Sequence, residues 1–253
     1  MLIINADDFG FTSDVNEGIV ESHRQGILTS TTLMANGAAF EEAAALAAAT
    51  PTLAVGAHLT VVGGRSVRNP NQALPASLAA LVAAVLRGGI PLYEEFAAQI
   101  RKIRTAGVPI THLDTHKHAH LLPPVALALA RVSREFGIPW VRRPLYASGL
   151  GSISQRILSR AGCRMTDRFE GYSDTGRLSE ERLIGVLRNL SAGSTELMCH
   201  PGYLREELAA ARTRLKQQRR QELAALTSPK VRRVIEEAGI RVTDYRRLAA
   251  GER

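Results

Sequence analysis

Four of the seven histidines in this chain fall within nine residues, HLDTHKHAH at 112–120. His112, Asp114, His116, His118 and His120 share one parity, and Leu113, Thr115, Lys117 and Ala119 share the other. Alternate residues of a strand face the same side, so the segment lines one face with imidazoles and a carboxylate. That combination suits a divalent cation. Neutral imidazoles suit zinc and other transition ions, a carboxylate adds charge, and fewer than four protein ligands leave a position for water. The whole run cannot serve one ion while extended, because at ~3.3 Å per residue His112 and His120 would stand roughly 26 Å apart. The spacing therefore predicts a strand up to about Asp114 and then a loop. His116 would face the site, with His118 and His120 behind it, against substrate or in a surface turn.

Other polar residues end other apolar runs. LIINA (2–6) leads into Asp7-Asp8, LAVGAHL (53–59) carries His58 near its end, and STELMCH (194–200) ends in Cys199-His200 ahead of Pro201-Gly202. Taken alone, His58 reads as a core histidine bonded to a backbone carbonyl, and Asp7-Asp8 as a charged pair capping a loop. Their joint placement after apolar strands favours the metal reading. His200 is a candidate proton donor to a leaving group, and Asp114 a candidate to orient a histidine. Arg142 or Arg143 could hold Asp7 ionised.

These residues need a scaffold that gathers strand ends. Strands are expected at 2–6, 29–35, 53–59, 109–114, 138–144, 164–169, 194–200 and 239–245. Helices are expected at 14–26, 38–50, 74–88, 92–106, 125–137, 151–162, 179–190, 205–226 and 228–238. About eight strands separated by helices is the rhythm of a distorted (β/α) barrel, whose sites lie at the C-terminal strand ends. A doubly wound open sheet is the alternative, but the first strand lacks the G-x-G-x-x-G turn of a dinucleotide fold. No linker, low-complexity segment or internal repeat interrupts the chain, so residues 1–253 read as one catalytic domain.

Hydrophobic residues make up 45% of the chain and aromatics only 5%, so the core must be built from Ala, Leu, Val and Ile. The most apolar run, LAALVAAVL (78–86), is far short of the ~20 residues a bilayer span needs. MLIINADDFG does not resemble a secretory leader. Cys163 and Cys199 stand alone, which suits a reducing compartment, and the expected location is the cytoplasm. The formal net charge is +8, much of it in RTRLKQQRRQ (212–221) and KVRR (230–233). These segments read as solvated helix faces. They lack the interleaved aromatics of a single-strand nucleic-acid platform, so no nucleic acid is expected, while peripheral contact with an anionic membrane is compatible with the charge. A homo-oligomer is equally compatible with the composition.

Together, NADDFG (5–10), VNEGI (15–19), TSTTLM (29–34), VGAHLT (55–60) and THLDTHKHAH (111–120) resemble the YdjC-like carbohydrate deacetylases, which include chitooligosaccharide deacetylases. HPG (200–202) and RQEL (220–223) are weaker matches, and the subgroup associated with hopanoid biosynthesis is the nearest in pattern. The resemblance implies a distorted (β/α) barrel that hydrolyses the N-acetyl group of an amino sugar by attack of a metal-bound water. It implies Asp8, His58 and His116 as ligands of one divalent ion, Zn2+ or Mg2+, and Asp7 as the neighbouring base. Residues 144–180 depart most from the family pattern, so the resemblance leaves substrate preference open. Two other functions fit the same residues: a metal phosphoesterase, and a non-catalytic basic protein that binds membrane or nucleic acid.

Overall fold

A computed structural model describes residues 1–145 and 149–251. Among the described residues, six parallel strands form one sheet in the order β4-β3-β2-β1-β6-β5. They are β1 (Leu2–Phe9), β2 (Ser30–Leu33), β3 (Ala54–Leu59), β4 (Leu113–Thr115), β5 (Arg168–Glu170) and β6 (Thr195–Cys199). β1, β2, β3, β4 and β6 are buried along their whole length. This is why they read as mostly apolar or β-branched, since a parallel sheet is covered on both faces, and why the polar residues within them, Asp7, Asp8, His58, Asp114 and Glu196, stand out. Around the sheet lie α1 (Ser13–Arg24), α2 (Phe40–Ala48), α3 (Leu78–Leu86), α4 (Leu92–Thr105), α5 (Pro123–Glu135), α6 (Gly149–Arg160), α7 (Glu180–Arg188), α8 (Glu206–Ala210), α9 (Gln217–Leu226), α10 (Pro229–Glu237) and α11 (Tyr245–Ala249). Among the described residues, no helix is long and apolar enough to cross a membrane.

Single parallel bridges extend the β4 edge, from Leu113 to Val141 and from Trp140 to Arg164. From Arg164 the chain runs into β5, which pairs with β6 at the far edge. The sheet thus curls into a half-barrel, and the architecture is a distorted (β/α) barrel.

Two of the eight expected strands shrink to bridges. Pro139 and Pro144 bracket the 138–144 run, and proline cannot donate to a ladder, so only Trp140 and Val141 pair. At the C-terminus, Val242 bridges to Leu2, but the Asp244 side chain accepts from the backbone N–H groups of Arg246 and Arg247 and starts α11 instead. The expected helix over 205–226 is broken at 211–216. After the break α9 buries Arg219, Glu222, Leu223 and Leu226, an i, i+3, i+4, i+7 set.

One close approach fixes the loop after β6. A Cβ on Gly18 of α1 would lie 2.5 Å from the Gly202 Cα. Only a bare backbone at Gly18 lets α1 press on the turn that carries His200.

Candidate active site

Adjacent residues of a regular strand point to opposite faces, so Asp7 and Asp8 could not both reach one site from an ideal β1. The structure resolves this with a bulge. Ala6 pairs with Thr31 and Phe9 with Leu33, so β1 carries one extra residue between the two pairs. Within it Asp8 adopts φ 70, an uncommon conformation for a non-glycine residue. The turn that follows is pinned by Asn16, whose Oδ1 accepts from the Gly10 N–H at 2.7 Å. Both carboxylates are thereby brought to the C-terminal mouth of the barrel.

There Asp8 Oδ1 lies 3.4 Å from His58 Nε2 and 3.2 Å from His116 Nδ1, and the two ring nitrogens are 3.2 Å apart. Three bonds of about 2.0–2.1 Å at tetrahedral angles would place their donor atoms roughly 3.3–3.4 Å apart. Asp8 Oδ1 is also a buried oxygen without a hydrogen-bond partner. The triangle therefore fits a single small cation. The orientation of His58 is set from behind. Its Nδ1 meets Asp114 Oδ1 at 2.8 Å and Thr32 Oγ1 at 3.1 Å, which leaves Nε2 aimed at the triangle. Asp7, His58 and Asp114 form a second close group, but Arg142 sits on both of its carboxylates and supplies the positive charge.

Arg142 is fully buried. Its Nη1 and Nη2 donate to the two oxygens of Asp7 at 2.7 and 2.6 Å, Nη1 also lies 2.9 Å from Asp114 Oδ2, and Nε donates to Glu196 Oε1 at 2.8 Å. Arg143 turns away and donates to the Thr166 carbonyl. Burial alone would raise the Asp7 pKa, but the Arg142 guanidinium outweighs it and holds the carboxyl well below the usual carboxylate range. Asp8 is held low in the same way, against burial, by Arg219 and then by His116 and His58; Arg219 Nη2 donates to Asp8 Oδ2 at 2.5 Å. Asp7, Asp8, Asp114 and Glu196 thus gather as buried carboxyl groups around the guanidiniums of Arg142 and Arg219. The concentration of acid shows in His58, whose pKa rises to about 10 because Asp114, Asp8 and Asp7 favour the imidazolium more than burial opposes it. A cation on the triangle would supply the positive charge that the imidazolium otherwise provides.

His200 stands at the end of β6, with Nε2 4.0 Å from Asp7 Oδ2. Its backbone N–H donates to Glu222 Oε2 at 2.5 Å. Burial brings its pKa down to about 4, against the pull of Asp7 and Asp8, so at neutral pH it is an uncharged imidazole. Burial also drives Glu222 up to about 7. Arg219 and Glu222 are the site residues least visible in the sequence. Arg219 sits in the charged block that reads as solvated, Glu222 just beyond it in RQEL, and their signal is that both fall on the leucine face of α9.

The remaining histidines part from the triangle. His112 is core: Nε2 meets Asn5 Oδ1 at 2.9 Å, and the ring stacks on Tyr245 at 3.9 Å. Lys117 and His118 both adopt left-handed φ, 54 and 52, which turns the chain inside a 3-10 segment at His116–Leu121. His118 then packs against Tyr172 and Phe169. His120 is fully buried with Nδ1 2.6 Å from Thr115 Oγ1, and burial lowers its pKa to about 3.

His120 sets a measurable pH dependence. Between about 3 and 6.5 the unfolded imidazole binds a proton that the folded one refuses, so stability from this group is complete above pH 6.5 and is lost as pH falls. The loss is about 1.4 kcal/mol per pH unit. His120→Gln should therefore lose less stability than wild type between pH 7 and pH 5 in urea unfolding. A wild-type minus variant difference that does not change with pH would refute the assignment.

The family model described as YdjC-like protein matches residues 1–237. A carbohydrate deacetylase of Geobacillus stearothermophilus is 36% identical, with 96% of each chain covered. A chitooligosaccharide deacetylase of Klebsiella pneumoniae is 34% identical, covering 97% of this chain and 98% of its own. A crystal structure from Enterococcus faecalis, named for cellobiose-phosphate cleavage, superposes with a TM-score of 0.84 at 27% identity over 98% of both chains.

Proposed function

The chain belongs to the YdjC-like protein family, and from that premise we propose that it is a carbohydrate deacetylase that removes the N-acetyl group of an amino sugar with the help of one divalent cation. The observation that carries this reading is the triangle of Asp8 Oδ1, His58 Nε2 and His116 Nδ1, with edges of 3.2–3.4 Å at the barrel mouth. Those three residues would hold the ion. Two imidazole donors favour zinc over magnesium, which prefers oxygen ligands. When bound, the cation polarises the acetyl carbonyl and lowers the pKa of water towards ~7.

The chain's own groups do the rest. Asp7 is ionised throughout the neutral range and fixed by two bonds from Arg142, so its carboxylate is a standing proton acceptor for the attacking water. His200 enters as a neutral imidazole and becomes a donor only after it has taken a proton. Asp7 and His200 face each other across 4.0 Å. The proton that leaves the water can therefore return from this pair to the departing nitrogen as the carbon–nitrogen bond breaks, and acetate and the free amine are released. A phosphoesterase with a two-metal centre would need a second cation beside Asp7 and Asp114, where Arg142 already sits.

The amino sugar is carried on an oligosaccharide or a lipid-linked glycoside, including a hopanoid. The test is acetate release from N-acetylglucosamine, its oligosaccharides and lipid-linked forms, before and after chelation and with Zn2+ or Mg2+ restored. Release that a chelator abolishes and one equivalent of ion restores is expected. Release that persists in the chelated enzyme would overturn the metal-dependent reading, and no release from any sugar would overturn the deacetylase.

A further inference from the structure

Beside the reacting groups stands a row of rings that the chemistry above does not use. The Phe169 ring lies 5.2 Å from the Arg142 guanidinium carbon, against the group that grips Asp7. The His118 ring lies 5.7 Å from Phe169 and 4.9 Å, edge-on, from Tyr172. Phe169 and His118 are half-buried, and Tyr172 is 44% exposed. The row leads outward from Asp7, with Tyr172 at its solvent end.

Its geometry is costly to build. His118 reaches Tyr172 across a turn in which Lys117 and His118 both take left-handed conformations, which L-residues rarely adopt. On the other side the chain turns at Gly171, φ +93, where a Cβ would lie 2.3 Å from the Met198 carbonyl oxygen. Strain of this kind gathers at ligand sites. A pyranose presents one face of C–H groups, and aromatic rings with a polar tip suit such a partner because they join an apolar body to a hydrogen-bonding edge.

We infer that Phe169, His118 and Tyr172 form an aromatic wall that receives the sugar rings of the substrate, and that Tyr172 engages the ring next to the one that loses its acetyl group. The inference rests on the deacetylase reading and narrows it to substrates with at least two linked rings. Tyr172 is a specificity-determining residue here and takes no part in proton transfer.

The experiment compares wild type, Tyr172→Ala and Tyr172→Phe on N-acetylglucosamine and on its β-1,4-linked disaccharide. Loss of contact with the second ring removes binding shared by ground and transition states, so it raises KM rather than lowering kcat. In Tyr172→Ala the ratio of kcat/KM for disaccharide over monosaccharide should fall about tenfold, through KM, and Tyr172→Phe should restore it. An unchanged ratio in Tyr172→Ala would overturn the inference. If wild type releases no acetate from either sugar, the deacetylase reading fails separately. The wall is then judged by saturation-transfer NMR with the same disaccharide. Weaker saturation of one ring in Tyr172→Ala than in wild type supports the wall, and equal saturation, or none in either protein, refutes it.

Discussion

Asp8→Asn and His116→Ala are each expected to purify with well under one ion per chain and to lose at least about 10³-fold in acetate release. Asp8 Oδ1 is a buried oxygen with no hydrogen-bond partner, within 3.4 Å of two ring nitrogens. Several kcal/mol of transition-state stabilisation comes from such an ion, and each 1.36 kcal/mol lost is a tenfold fall in rate. Asp114→Asn should behave differently. It keeps the three donors but weakens the 2.8 Å contact that aims His58, so ion affinity should drop by about 10–100-fold while saturating ion recovers part of the rate. The same variants separate binding from folding. In wild type an ion at a thousand times its Kd adds about 4 kcal/mol to stability, so added ion should raise Tm in wild type and in Asp114→Asn but not in Asp8→Asn. Elemental analysis, Tm and acetate release are the readouts. A wild-type ion content and rate in Asp8→Asn would remove the centre.

The strand–helix rhythm was legible in the sequence because every strand but β5 is buried throughout, which leaves mostly apolar or β-branched segments. The failures have local causes. Runs 138–144 and 239–245 have strand composition, yet prolines in one and the Asp244 cap in the other limit them to bridges. The strand ends were legible too, and with them the polar residues at the mouth. What composition could not convey was direction. Arg142 and Arg143 are neighbours of identical type, and only the pairing of Val141 with Leu113 decides that Arg142 points at Asp7 while Arg143 reaches Thr166. The bulge that brings Asp7 and Asp8 to one face depends on a backbone conformation at Asp8 that no residue type demands. Arg219 and Glu222 were hidden for another reason. Solvated and buried charges look alike in a block such as RTRLKQQRRQ, and only the break at 211–216 sets the phase of α9 that turns both residues inward.

Arg142→Met is expected to be strongly destabilising, by about 3–5 kcal/mol, the usual cost of stripping the partner from a buried charge. Arg142 is the shared counter-ion of Asp7, Asp114 and Glu196, all buried. Methionine fills similar volume but leaves three carboxylates facing one another in a dry interior, where repulsion and desolvation both favour protonation. This reverses the sign of the pH dependence from Asp7, and Glu196, which burial already raises in the wild type, rises further. In wild type the folded Asp7 pKa lies below its unfolded value, so its contribution is present above about pH 4 and is lost as pH falls through the folded value. In the variant the folded carboxyl pKa values rise above their unfolded ones. Their contribution is then present at low pH and is lost as pH rises. The stability difference between wild type and Arg142→Met should accordingly be largest at pH 7–8 and shrink towards pH 5 in urea unfolding. Arg142→Lys should fall between the two, because one ammonium cannot grip both Asp7 oxygens while reaching Asp114 and Glu196. A variant as stable as wild type at pH 8, or a difference that grows as pH falls, would show that the guanidinium does not hold this cluster together.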